Sequence, residues 1–228
     1  MSKGCGSWAD AGREIGAELG SGFGELLFPR QCACCQAPGR TICASCWLKL
    51  RQPPQRIDTL VDTLVPLWTL GPYSTERRAL IINMKECNNF ASRRSLGPIF
   101  TAAIEYLQAR GELPESLILV PAPTTMRAAR LRGGDHITDI AKATRYPVSQ
   151  LLYNRGNMQD SARLGIQARR ENIAGKVALK PGWQHQKNDH PLLLIDDVAT
   201  TGITLSTSVA VLLAAGFPVC GAITLANA

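Results

Sequence analysis

The chain has 228 residues, 45% of them hydrophobic and 19% charged, and its 25 Lys+Arg against 18 Asp+Glu give a formal charge of +7. That length carries one sizeable core with a small appendage, and the composition is that of a folded soluble protein with no part that reads as disordered. The positive balance suits an anionic partner, nucleic acid or a phosphorylated small molecule, without choosing between them.

Residues 1–29 form an N-terminal segment in which Trp8, Ile15, Leu19, Phe23 and Leu26 fall near helical spacing, so part of it is expected to be helical. Seven glycines between Gly4 and Gly24 weaken any such helix. Asp10, Glu14, Glu18 and Glu25 interrupt the apolar positions, so this stretch is not expected to be a secretory signal. No stretch reaches the roughly 18 uninterrupted apolar residues of a membrane span. The expected compartment is the cytoplasm, where thiols stay reduced, so the eight cysteines read first as metal ligands or buried thiols.

Residues 30–52 hold the run CACCQAPGRTICASC, with Cys32-x2-Cys35 and Cys43-x2-Cys46. Two such knuckles place four thiolates around one tetrahedral Zn²⁺. A segment this short buries little, so metal binding supplies most of its folding free energy. With four cysteine ligands no position stays open for catalysis, and the zinc is expected to be structural. Cys34 is a spare inside the first knuckle, able to replace a neighbour. A redox role is the alternative, but no βαβ pattern surrounds the cysteines. Cys5, Cys87 and Cys220 are isolated and read as ordinary thiols.

After the proline-containing hinge RQPPQR (51–56), residues 57–228 alternate between strand and helix patterns. Residues 60–70 read as extended, and the stretch from RRALIINMK through GPIFTAAIEYLQAR as helical. ESLILVPAP (115–123) is a buried strand bounded by prolines, and 135–145 a helix with Ile137, Ile140 and Ala141 on one face. VSQLLY (148–153) and KVALK (176–180) read as strands on either side of a basic excursion, 154–172. The clearest unit comes last. A strand at 192–195, a loop at 196–202, a helix from Ile203 to Ala215 stopped by Gly216, and a strand at 219–225 follow in order. Such alternation implies an α/β fold with a mainly parallel sheet flanked by helices.

In open α/β sheets the ligand sits beyond the carboxyl ends of the strands. The stretch LLLIDDVATTGITL (192–205) ends a strand on Asp196 and Asp197, then supplies backbone N–H groups, three hydroxyls and a glycine at a helix start. Those are the parts of a monophosphate cradle favoured by the helix dipole. The carboxylates would repel a phosphate but accept hydrogen bonds from vicinal hydroxyls. Together the two halves ask for a ribose 5-phosphate.

This stretch resembles the phosphoribosyl-diphosphate (PRPP) motif of type I phosphoribosyltransferases. The resemblance implies that Asp196 and Asp197 meet the ribose, and that Ala199, Thr200, Thr201, Gly202 and Thr204 hold the 5-phosphate. Over about residues 26–228 the chain further resembles the ComF family, which joins a zinc module to a phosphoribosyltransferase domain and includes proteins linked to DNA uptake and natural transformation. The residues carrying this are the cysteine run, YSTERRALIINMK with Lys85, LVPAPTTMRAARLRGGDHITDIAKA with Arg132-Gly133, RREN with Arg169 and Asn172, and the PRPP motif.

The sequence departs from that family at Gly134, Asp135 and His136, where an aromatic-Asn-Gln run is usual. It departs again at Met158 and Ser161, where Thr and Gln are usual. Both places bear on the acceptor substrate.

By resemblance, Val120, Pro121 and Ala122 lie in the diphosphate loop (120–124), and part of 154–172 forms a mobile loop. Arg127, Arg130 and Arg132, with Arg163, Arg169 and Arg170, are the arginine forks available for diphosphate. Mg²⁺ would bridge diphosphate and ribose oxygens, as it prefers substrate phosphates with few protein ligands. The expected reaction is displacement of diphosphate at the anomeric carbon by a nitrogen nucleophile, with Asp196 and Asp197 stabilising the charge that grows on the ring. No side chain stands out as a general base, and His136, His185 and His190 read as capping or surface residues. The competing readings are a non-catalytic PRPP sensor and a single-stranded-DNA-binding protein of DNA uptake. The second lacks an aromatic stripe for base stacking.

Overall fold

A computed structural model describes residues 31–86, 89–124, 134–155, 176–183 and 189–228. The expectations for 1–29, for Cys5 and Cys87, for His185, and for every arginine of 125–133 and 156–175 lie outside these residues.

The described chain builds five helices and seven strands: α1 (Ala44–Leu50), β1 (Gln55–Arg56), β2 (Leu67–Thr69), α2 (Thr75–Glu86), α3 (Phe90–Ala109), β3 (Ile118–Pro121), α4 (His136–Lys142), β4 (Leu152–Asn154), β5 (Val177–Leu179), β6 (Leu192–Ala199), α5 (Ile203–Ala214) and β7 (Val219–Asn227). A five-stranded sheet has the order β1-β2-β7-β6-β3. It is parallel except for β1, which pairs antiparallel with β2. The α/β class and the mainly parallel sheet expected from the alternating pattern are present. β4 and β5 form a separate antiparallel pair.

Alternation along the strands divides the core between two faces. Leu193 and Ile195 of β6, with Ile223 and Leu225 of β7, pack against α2, α3 and α4. Leu192 and Leu194 pack on the other face with Leu205, Val209 and Leu212 of α5 and with the β4–β5 pair. The expected single helical stretch before residue 109 is two helices. Asn89 caps the second by accepting from the Ser92 N–H, and Gly97 passes so close to α4 that an added Cβ would stand 2.2 Å from the carbonyl oxygen of Ala143.

The cysteine module packs into this core. Cys32, Cys34, Ile42, Cys46 and Leu50 join the cluster on the α2–α3 face. Arg77 of α2 is buried and donates to the carbonyl of Lys49, at 3.1 Å, and to that of Leu70. One guanidinium therefore ties the module to the end of β2. Among the described residues, no helix is long and apolar enough to cross a membrane.

Residues 60–66, expected to be extended, form an irregular strap before β2, with Leu64 in the left-handed region at φ 65°. The strap reaches the end of β6, where the Val61 N–H donates to the Thr201 carbonyl at 3.0 Å.

Candidate ribose-phosphate site and metal centre

β6 and β3 lie side by side, with Pro121 opposite Ile195. The chain continues from β6 into α5 on one face of the sheet, while α4, which follows β3, lies on the other. Strand ends whose following helices leave to opposite faces are the place where open α/β sheets take ligands. Asp196 and Asp197 stand near that end of β6.

Both carboxylates are on the strand rather than in the loop expected at 196–202. β6 continues to Ala199, because Asp196 pairs with Thr224, Val198 with Ala226 and Ala199 with Asn227 in the ladder to β7. The loop proper is Thr200–Gly202. Successive strand residues point to opposite sides, so the pair separates into two environments. Asp197 is buried on the side of α2 and α4. Its Oδ2 receives Nζ of Lys85, from the last turn of α2, and lies 2.7 Å from Nε2 of His136, the first residue of α4. Asp196 is half-buried, and its Oδ1 accepts the N–H of Asp197 at 2.8 Å.

The protonation of the pair follows from these surroundings. Burial and the adjacent charge of Asp197 push Asp196 up to about 7, against the weaker pull of the Asp197 N–H and of Lys85. Burial also works against ionising Asp197, but the His136 hydrogen bond and the Lys85 charge outweigh it and hold that carboxyl well below the usual range. The protein thus places one firmly ionised carboxylate beside one whose proton is exchangeable near neutrality, the kind of divergence that separates acid and base roles in active sites.

His136 is the residue that the fold brings to Asp197 and that the sequence alone did not place there. It is 3% exposed, so it is neither a surface residue nor the helix cap. Capping falls to Asp135, whose Oδ1 accepts from the Ile137 N–H at 3.2 Å and whose Oδ2 accepts from the Thr138 hydroxyl at 2.7 Å. Asp135 also accepts from the Thr124 hydroxyl at 2.9 Å, joining the ends of the segment between β3 and α4. The available signal was positional: His136 sits where the resembling family carries Gln, another side-chain N–H donor.

The Thr/Gly stretch forms the start of α5. Gly202 adopts φ +81°, and an added Cβ there would meet the Thr59 hydroxyl at 2.2 Å and the Val61 carbonyl at 2.6 Å. Glycine is needed both for the left-handed backbone and for the close approach of the strap. Among the described residues, the N–H groups of Thr201, Gly202, Ile203, Thr204 and Leu205 donate to no loop carbonyl, and the hydroxyls of Thr200, Thr201 and Thr204 are uncommitted. Several convergent donors at a helix N-terminus can hold a phosphate. Ala199 is buried as the last strand residue, and its carbonyl accepts from the Ala228 N–H at 2.9 Å.

Val120, Pro121 and Ala122 are buried at the neighbouring strand end. The Ala122 N–H is committed to the Ile195 carbonyl at 2.9 Å, and Pro121 and Pro123 have no N–H, so this stretch offers few donors to an anion. Lys85 is brought to the site through Asp197. Arg132, Arg169 and Arg170 fall outside the described residues.

A second constellation lies at the start of the described chain. Cys32, Cys35, Cys43 and Cys46 bring their Sγ atoms within 4.8 Å of one another and could hold a metal ion. Tetrahedral zinc with Zn–S bonds near 2.3 Å needs sulfur separations of roughly 3.8 Å, and the Cys35–Cys43 pair stands at 3.6 Å. The Cys43 N–H donates to Cys32 Sγ at 3.3 Å, a bond that favours a thiolate. The donor set and the spacing fit a structural zinc. Cys34 is not among the four: it is buried in the core, and burial together with the Cys32 charge pushes its thiol up to about 12. Cys220 is a half-buried thiol, raised to about 11 by burial, that donates to the Leu192 carbonyl at 3.2 Å.

No family model matches this chain, and no curated protein matches it.

Proposed function

We propose that this protein is a PRPP-binding member of the phosphoribosyltransferase class, of the ComF type that its sequence resembles, and that it transfers the phosphoribosyl group to a nitrogen nucleophile. The observation that supports the reading is the juxtaposition of a carboxylate pair near the end of β6 with a helix start whose N–H groups and hydroxyls are uncommitted among the described residues. A diol acceptor next to an anion cradle matches a ribose 5-phosphate and few other metabolites.

In this reading the 5-phosphate rests on the N–H groups of 201–205 and the hydroxyls of Thr200, Thr201 and Thr204. Asp196 faces the ribose hydroxyls, and the fixed negative charge of Asp197 lies close behind it. As diphosphate leaves the anomeric carbon, positive charge grows on the ring, and preorganised carboxylates stabilise it more than they stabilise the ground state. Magnesium, if bound with the substrate's diphosphate, would offset the negative charge of the leaving group. The contacts of Thr59 and Val61 with the loop shape the cradle before substrate arrives, which lowers the ordering cost of binding.

The test is diphosphate release from PRPP and Mg²⁺ in the presence of ammonia or a panel of nucleobases. Turnover with at least one nucleophile, lost in Asp196→Asn while PRPP binding persists, supports a transferase. PRPP binding with no turnover across the panel favours a sensor, and the absence of PRPP binding removes both.

A further inference from the structure

The carboxylate pair has one feature that the phosphoribosyl reading leaves without a role. His136 is a nearly fully buried imidazole on the first turn of α4, 61 residues before its partner, and its Nε2 is directed at Oδ2 of Asp197. Its Nδ1 has no hydrogen-bond partner among the described residues. Lys85 reaches the same Oδ2 from a different helix. Two donors from two helices converge on one carboxylate oxygen of one strand residue, while among the described residues Asp196 receives only the local N–H of Asp197.

We infer that His136 is a positioning residue: by donating from Nε2 to Asp197, together with Lys85, it fixes Asp197 in one rotamer and leaves Asp196 as the carboxylate that meets the ribose hydroxyls. The inference rests on the phosphoribosyl reading. The tautomer follows from the contacts. An ionised carboxylate only accepts, so Nε2 carries the hydrogen. Nδ1, buried and with no donor opposite it among the described residues, is then the bare acceptor, and leaving an acceptor unmet is more readily tolerated than leaving an N–H orphaned.

The roles of the pair therefore differ. Asp197 is held from below by α2 and α4, so its contribution is a fixed field rather than a ligand contact. Asp196 can turn its free oxygen to a diol. If the two carboxylates were equivalent ribose ligands, the buried donors on Asp197 would compete with the sugar for it. As built, the imidazole and the ammonium prevent Asp197 from rotating toward Asp196, where two charges would repel.

The experiment compares wild type, His136→Gln and His136→Ala in calorimetric titrations with ribose 5-phosphate and with inorganic pyrophosphate. Thermal melts check that each variant is folded. Gln keeps a side-chain N–H for Asp197 and should hold ribose 5-phosphate within about threefold of wild type. Ala removes a hydrogen bond to a charged group and should weaken ribose 5-phosphate by about tenfold or more, leaving pyrophosphate affinity within about twofold. A purely structural role would move both ligands together and would not be rescued by Gln.

On the ligand-free wild type, ¹⁵N spectra should show His136 as the Nε2-protonated tautomer. That readout does not depend on PRPP and keeps the inference testable even if His136→Ala fails to fold. A wild type that binds ribose 5-phosphate with His136→Ala binding it equally well overturns the positioning role and leaves the phosphoribosyl reading standing. An Nδ1-protonated tautomer also overturns it. A wild type that binds no ribose phosphate removes the reading beneath it, and the spectrum then reports only the contact.

Discussion

The backbone N–H of Val61 donates to the carbonyl of Thr201 at 3.0 Å, pinning an irregular strap onto the loop that opens α5. Thr59 secures the same turn by donating its hydroxyl to the Val61 carbonyl at 2.8 Å. The loop that would hold a phosphate is therefore shaped from outside as well as by its own glycine. Its conformation is settled by packing before any ligand arrives.

Gly202→Ala should destabilise the protein by about 2–4 kcal/mol. A non-glycine residue in the left-handed region costs roughly 1 kcal/mol or more, and the new methyl has no room against Thr59 and the Val61 carbonyl. Urea denaturation of the variant checks this, and Thr59→Ala in the same background should recover only the part due to the hydroxyl contact. An unchanged midpoint for Gly202→Ala would mean that the strap does not hold the loop.

The carboxylate pair predicts a particular stability profile against pH. Asp196 has its folded value raised from 3.8 to about 7, so it favours the folded state while protonated and costs stability progressively as pH rises from 3.8 towards 7. Asp197 has the opposite sign. Its folded value is depressed, so its contribution is present above 3.8 and is lost as pH falls below that. Asp196→Asn should flatten the decline between pH 4 and 7 and raise stability at pH 8 by on the order of 2–4 kcal/mol relative to wild type. Urea midpoints measured at intervals of one pH unit decide it, and parallel profiles for the two proteins would count against the assignment.

Much of this arrangement was legible in the sequence, and the rest was lost for definite reasons. The apolar run Leu192–Ile195, the helix from Ile203 and the stop at Gly216 were readable because each carries a local signal: unbroken hydrophobicity, a helix-start loop, and a glycine that here adopts φ +82°. The extension of β6 through Asp196 and Asp197 was not. Two charges read as the end of a strand, yet the ladder to Thr224, Ala226 and Asn227 carries the strand on to Ala199. His136 was overlooked because a lone histidine at a helix start resembles a cap, and the partner that defines its role is distant in sequence. The strap at 60–66, part of the 60–70 stretch whose pattern reads as extended, is irregular because Val61 finds its partner, Thr201, only in the fold.

The cysteine module should carry about one zinc per chain by elemental analysis of the purified protein. Cys43→Ser should release it, since three thiolates and a hydroxyl make a far weaker tetrahedral set. Because Cys46 and Leu50 are part of the central cluster and Arg77 bonds to Lys49, metal loss should also lower the melting temperature of the whole chain rather than melt the module alone. A metal-free preparation with an unchanged, single transition would contradict this.

Phosphate binding should depend on the hydroxyls at the start of α5. Thr201→Ala or Thr204→Ala removes a hydrogen bond to a charged group and should cost on the order of 1.5–3 kcal/mol of PRPP binding. Thr138→Ala, whose hydroxyl only supports the Asp135 cap, should leave PRPP affinity nearly unchanged while lowering stability by about 1 kcal/mol. Calorimetric titration of the three variants checks the ordering, and equal losses across them would mean that the cradle is not at 200–205.

The most direct measurement of the central claim is a thermal-shift titration of the wild-type protein with PRPP and Mg²⁺. A ligand that binds only the folded state stabilises it by mass action, by about 2.7 kcal/mol at a hundredfold excess over its dissociation constant. For a site built from Asp196, Asp197 and the Thr/Gly turn, the melting temperature should rise with PRPP concentration, and the rise should shrink in Thr201→Ala. No response to saturating PRPP with Mg²⁺ in a folded, zinc-loaded preparation would contradict the assignment of residues 192–205 as a ribose-phosphate site.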